Sequence, residues 1–184
     1  MSALARLILT PWEKLYSKVA RERPVTGGSG VGAVSLHPYH GPRVSLSDGP
    51  VIESGDPILE LHLINYRLRD VMESGDSLAS NELTLLRQEY AALARLAQRG
   101  QLPDFKAVYG MTLLSPLVRR LGFEVFQAPP TLIYRLIAAW QDILRRAYYP
   151  GGRARRNKRG LVVYWMPREK LIDLYGGRET ESKY

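Results

Sequence analysis

The sequence contains no cysteine, which excludes disulfides, thiolate metal sites and cysteine nucleophiles. It has only three histidines, His37, His40 and His62, and none stands four residues from another, so the ligand pair of a helical zinc hydrolase is missing. Long apolar runs are absent as well. None approaches the roughly 20 residues that a membrane span requires, and the aliphatic residues after Arg6 in ALARLILTPW are too few for a signal-peptide core. The expected location is cytoplasmic, with a peripheral place at the membrane as the alternative. Residues 24 to 33, PVTGGSGVGA, are rich in glycine but lack the marks of a nucleotide loop. No Lys-Ser/Thr pair follows them, and Ala33 stands where a dinucleotide fingerprint needs its last glycine. They read as a flexible linker, and no cofactor is expected.

What is present is the composition of one folded domain. At 184 residues the chain is long enough to bury a core, and with 45% hydrophobic and 24% charged residues it lies outside the disordered class. Its net charge of +8 is unevenly spread. Residues 153–159, RARRNKR, hold five positive charges and no negative one. The basic character is therefore a local patch, suited to one anionic contact. Together with Arg145 and Arg146 just ahead of it, Arg153, Arg155, Arg156, Lys158 and Arg159 are candidate anion ligands. An anionic lipid or polymer surface fits them better than nucleic acid, because no aromatic residue is interleaved and no nucleic-acid module is recognisable.

Periodicity gives the elements. Leu4, Leu7, Ile8, Trp12, Leu15, Tyr16 and Val19 hold helical spacing, and Thr10-Pro11-Trp12-Glu13 is a capping pattern that starts a helix at Pro11. Its cationic side suits either a helix packed on the domain or one lying on a membrane or partner. Val44 to Leu46 and Val51 to Glu53 flank Ser47-Asp48-Gly49-Pro50 and predict a hairpin. After the turn SGDP, a strand runs to Ile64, and Asn65 is placed to cap a helix. Further on come a helix over 80–99, a strand over 105–114, a short helix at 115–121 and a strand at 123–127. A helix over 131–148 follows, whose apolar side holds Leu132, Ile133, Leu136, Ile137, Trp140, Ile143 and Leu144. A buried strand at 161–167 and a last short helix complete the order. This irregular interleaving predicts an α+β domain over 34–176, with a mainly antiparallel or mixed sheet of five or six strands and helices packed on it.

The strand GDPILELHLIN, residues 55–65, raises the functional question. Alternation sends Leu59, Leu61 and Leu63 to one face and Glu60 with His62 to the other. A carboxylate beside an imidazole can fix its tautomer and prepare a general base. If the hairpin folds beside this strand, Asp48 and Asp56 are candidate partners of Glu60 and His62 in acid/base chemistry, while His40 and Asn65 are candidate ligand contacts. No metal is expected, because no spacing is diagnostic of one.

Several short motifs occur in an order that resembles the YkoP-like domain of spore-forming Gram-positive bacteria. They are Tyr39-His40-Gly41-Pro42, Leu46-Ser47-Asp48-Gly49, Gly55-Asp56-Pro57, Leu61-His62-Leu63-Ile64-Asn65, Gly110-Met111-Thr112-Leu113-Leu114 and Arg120-Leu121-Gly122-Phe123-Glu124-Val125. The resemblance spans about residues 34–128. It implies a domain found alone or beside polysaccharide deacetylases, and hence an accessory or binding role at a cell-envelope or spore polysaccharide, with a deacetylase or an envelope polymer as partner. The histidines and aspartates that define a deacetylase are not matched. The rival reading is a small hydrolase or transferase working through His62 with Glu60, Asp48 or Asp56.

Overall fold

The computed structural model describes residues 22–25, 30–64, 78–113, 115–148 and 160–177, together with Pro11, Lys18 and Arg67. The expected N-terminal helix, the helix capped by Asn65 and the basic run 153–159 lie outside the described residues.

The chain forms an α+β domain. Its main sheet has six strands: β1 (Arg23–Pro24), β2 (Gly32–Pro38), β5 (Pro57–Leu63), β6 (Ala107–Thr112), β7 (Glu124–Gln127) and β8 (Val162–Pro167). They are ordered β1-β2-β5-β6-β8-β7, and β3 (Val44–Ser45) with β4 (Val51–Ile52) makes a separate two-stranded ladder. Only β5 and β6 pair in parallel, so the sheet is mixed. The described helices are α1 (Leu78–Gln98), α2 (Ser115–Arg120), α3 (Leu132–Tyr148) and α4 (Arg168–Tyr175). The stretch read as a linker opens and closes in strands: Arg23 faces Val34 and Pro24 faces Ala33 across β1 and β2. These strands escape a periodicity reading because β1 is two residues long and β2 is built largely of small and polar residues.

Each face of the sheet carries its own core. On one face, Val34, Leu59, Val108, Tyr164 and Met166 pack with Leu86, Tyr90, Leu93, Ala94 and Ala97 of α1 and Leu171 of α4. This is the apolar periodicity of α1 doing what its spacing predicts. Edge-on aromatic contacts tie the layers, with Tyr90 5.3 Å from Phe123 and 5.6 Å from Tyr175 between ring centres. On the other face, Ile58, Ala107, Tyr109, Val163 and Trp165 lie under Tyr39, Leu46 and Ile52 of the hairpin region.

One helix breaks the expected pattern. The residues of α3 that reach the second core are Tyr134 and, through a hydrogen bond from its amide to the Met111 carbonyl at 3.0 Å, Gln141. Of the apolar side that the spacing predicts, Ile137 and Leu144 are half-buried, while Leu132, Ile133, Leu136, Trp140 and Ile143 are exposed. Helical periodicity reports that a stripe is apolar, and it carries no information on whether this fold covers that stripe.

Close packing makes one substitution decisive. Gly110 faces Tyr164 across β6 and β8, and a Cβ there would stand 2.3 Å from the tyrosine ring, which is itself buried. Gly110→Ala is expected to destabilise the domain by about 1–3 kcal/mol through overpacking; the shift in urea midpoint checks it.

Candidate functional site

Alternation along β5 splits its side chains as its sequence implies: Leu59, Leu61 and Leu63 join the α1 core, while Ile58, Glu60 and His62 occupy the opposite face. Antiparallel pairing sets Ser35 opposite Glu60, Ala33 opposite His62 and His37 opposite Ile58. Directly opposed residues share a face. Ser35, His37, Glu60 and His62 therefore form one polar row, and Tyr109 joins it from β6 as the parallel partner of Glu60.

The row is wired together. His37 Nε2 donates to Glu60 Oε2 at 2.9 Å, and His37 Nδ1 lies 3.0 Å from the Pro38 carbonyl. Both partners only accept, so a neutral ring serves one at a time. His62 Nε2 is 3.2 Å from Ser35 Oγ and 3.7 Å from Glu60 Oε2, while Glu22, just ahead of β1, brings Oε1 to 3.3 Å from Nδ1. A proton on Nδ1 faces the Glu22 carboxylate and leaves Nε2 to accept from the serine hydroxyl. The imidazole at 62 is mostly shielded, with 18% of its side chain exposed against 38% for His37. Burial raises the phenol pKa of Tyr109, and the Glu60 carboxylate beside it raises it further, so the ring stays a neutral donor.

The other sequence candidates lie elsewhere. Asp56 precedes β5, so it is separated from His62 by roughly 20 Å of extended strand. It accepts from the Glu53 amide and from Lys106 Nζ at 2.8 and 2.7 Å, closing the turn and tying the starts of β5 and β6. Asp48 is exposed at the hairpin tip, 3.6 Å from Lys170. His40 is exposed beyond the Pro38 to Pro57 pair, at the opposite end of the strand pair from His62. Asn65 and the run Arg153, Arg155, Arg156, Lys158 and Arg159 lie outside the described residues. Of the two helix arginines, Arg146 pairs with Asp142 at 2.6 Å, and the side chain of Arg145 is outside the described set. Glu60 and His62 are thus brought together, and Glu22, Ser35 and His37 complete the group. The alternation of Ser35 and His37 was the available signal for two of them. It had no meaning until β2 was recognised as a strand, and Glu22 left no local trace at all.

Several motif residues serve packing. The Tyr39 ring meets Trp165 edge-on at 5.2 Å, and its hydroxyl donates to the Pro42 carbonyl at 3.0 Å. A Cβ on Gly41 would stand 2.2 Å from that hydroxyl. Ser47 donates from both its amide and hydroxyl to Glu124, at 2.9–3.0 Å. These contacts of Tyr39, Ser47 and Glu124 fasten the hairpin region to the sheet.

Comparison with known sequences follows the same pieces. The sequence model of the YkoP domain matches residues 3–175. The chain belongs to the YkoP domain family. A YkoP relative from Bacillus subtilis (strain 168), described as an uncharacterized protein, is 30% identical over 106 residues, covering 55% of this chain and 57% of the relative. No solved structure matches. YkoP membership thus accounts for the ordered motifs and leaves the chemistry to the site itself. Among the described residues, no group of three His, Asp or Glu side chains is placed to hold a metal ion, and no helix is long and apolar enough to cross a membrane.

The turn aspartate yields a pH test. The Lys106 ammonium and then the Glu53 amide hold the Asp56 carboxyl below the usual aspartate range. A folded-state pKa below the unfolded one stabilises the native state above the ordinary value, and this contribution fades as pH falls through the lowered one. Asp56→Asn is expected to lower the urea midpoint at pH 7, with the gap to the parent chain closing below about pH 4.

Proposed function

We propose that this chain is an accessory binding domain whose recognition surface is the row of His37, Glu60 and His62, held in place by the buried side chains of Glu22 and Ser35, and that its ligand is a hydroxyl-rich polymer of the carbohydrate type, at a cell envelope or spore wall. A single observation carries the reading: carboxylate, imidazole and hydroxyl groups alternate on a rigid sheet face, bonded to one another and partly shielded from water. Such a row offers fixed acceptors and donors to sugar hydroxyls with little side-chain ordering left to lose on binding. The Glu60 carboxylate also suits a sugar that carries an ammonium group. A polysaccharide deacetylase would supply that group, which makes such an enzyme a fitting partner.

The enzymatic reading keeps one specific support. Glu22, His62 and Ser35 stand in the order acid, imidazole, hydroxyl that activates a serine. Against it, Ser35 is only 7% exposed and sits within a strand paired along its whole length. A substrate carbonyl needs an approach to that oxygen and donors for its developing charge. Asp56 is engaged by Lys106 and lies at the far end of β5 from His62, and Asp48 is exposed at the hairpin tip beside Lys170.

Titration calorimetry with N-acetylglucosamine oligomers and their de-N-acetylated forms tests the proposal. Binding is expected to weaken by about tenfold or more in Glu60→Gln and in His62→Ala, with thermal midpoints close to that of the parent. A parent chain that binds neither oligomer defeats the reading. So does a His62→Ala chain that loses folding stability in step with binding, which would make this a structural histidine. Cleaved or transferred sugar in the mass spectrum would move the assignment to the enzyme.

A further inference from the structure

We infer that the outward side of α3 is a docking surface for an anionic lipid bilayer. The inference is independent of the polar row. It begins with exposure: Leu132, Ile133 and Leu136 are 72%, 69% and 62% exposed, and Trp140 and Ile143 are exposed beside them. At 100° per residue these five side chains fall within an arc of roughly 100°, so they form one continuous stripe along a helix about 25 Å long. The opposite side of the helix, through Tyr134 and Gln141, is held against the sheet. The stripe is therefore presented by a fixed scaffold. A row of large apolar side chains left open in this way marks an interaction surface.

Charge selects the occupant. Arg135 and Arg146 are both exposed along the edge of the stripe next to Leu132, within about 60° of it on the helix. The only acid in the helix, Asp142, is engaged by Arg146. The sequence that follows α3 adds the five positive charges of 153–159 without a single acid. An apolar stripe with a tryptophan, bordered by arginines and continued by a polybasic segment, has the composition of a helix that lies in the interface of a negatively charged membrane. A second copy of the chain fits less well. Packing two stripes face to face as an antiparallel pair would bring arginine edges together, with no spare acid on α3 to answer them.

Sedimentation of the full chain with vesicles tests the inference. The chain is expected to pellet with phosphatidylcholine vesicles containing phosphatidylglycerol, to stay in the supernatant with phosphatidylcholine alone, and to be released by salt. The double variant Leu136→Ser/Ile143→Ser removes only exposed side chains. It is expected to keep the circular dichroism spectrum and thermal midpoint of the parent while losing about tenfold or more in vesicle affinity. Arg153→Gln/Arg155→Gln/Arg156→Gln is expected to weaken binding as well. Three results would overturn the inference: no pelleting with the anionic vesicles, unchanged pelleting of the stripe variant, or a parent dimer that the stripe variant converts to monomer. The second would assign the contact to charge alone, and the third would show that a second copy covers the stripe.

Discussion

The site depends on the register between β2 and β5. Seven consecutive pairs, from Gly32 opposite Leu63 to Pro38 opposite Pro57, place Ser35, His37, Glu60 and His62 on one face. A slip of β2 by one residue would turn Ser35 and His37 into the α1 core and bring Val34 and Leu36 out beside the glutamate. What pins the register comes from outside the pair. Glu89 of α1, itself buried, accepts from the Val31 amide at 3.0 Å and fastens the chain just before β2 begins. At the far end, Tyr39 exchanges backbone hydrogen bonds with the Asp56 carbonyl and the Gly55 amide, both at 2.8 Å. The polar row is thus held between two clasps, one supplied by a helix and one by a turn.

The face that carries the row is divided along its length. Toward the start of β5, Ile58 and its neighbours are sealed under Tyr39, Leu46 and Ile52. Further along, the same face bears Glu60 and His62. Burying them under the same apolar cover would cost free energy unless every polar atom found a partner. The network of Glu22, Ser35 and His37 supplies such partners. This explains how an acid and a histidine can sit inside an otherwise aliphatic strand: the strand is amphipathic across its two faces, and its polar half is bonded to the neighbouring strands.

Elements with strong local signals were legible in the sequence. The spacing of Leu86, Tyr90, Leu93 and Ala97 identified α1, and Asp-Gly at 48–49 identified the hairpin. The run of seven residues from Leu161 to Pro167, all buried, identified β8. The alternation in β5 assigned Glu60 and His62 to one face before any pairing was known. What escaped has a common cause. The partners of His62 come from Glu22, forty residues away in the chain, and from β2, whose small residues resemble a linker. Long-range pairing chooses them, and no window of sequence contains that choice. The turn aspartates misled for the opposite reason: an acid that closes a turn and an acid that serves a site look alike until its partner is seen, and for Asp56 the partner is Lys106.

The polar row and α3 lie on the same side of the sheet. Gln141 of α3 bonds the carbonyl of Met111, two residues along β6 from the Tyr109 that pairs with Glu60. The inner side of the helix rests on the second core through Tyr134, and its outer side turns the apolar stripe away. A helix used only to cover a core would need one apolar side, directed inward. Here Tyr134, Ile137, Gln141 and Leu144 are half-buried, and five large apolar residues, Leu132, Ile133, Leu136, Trp140 and Ile143, face out. This exposure is costly for a free-standing domain, since it leaves several large apolar side chains in water. A cover over the outer side removes that cost, and the contacts of Tyr134 and Gln141 hold such a cover on the same side of the sheet as the His62 row.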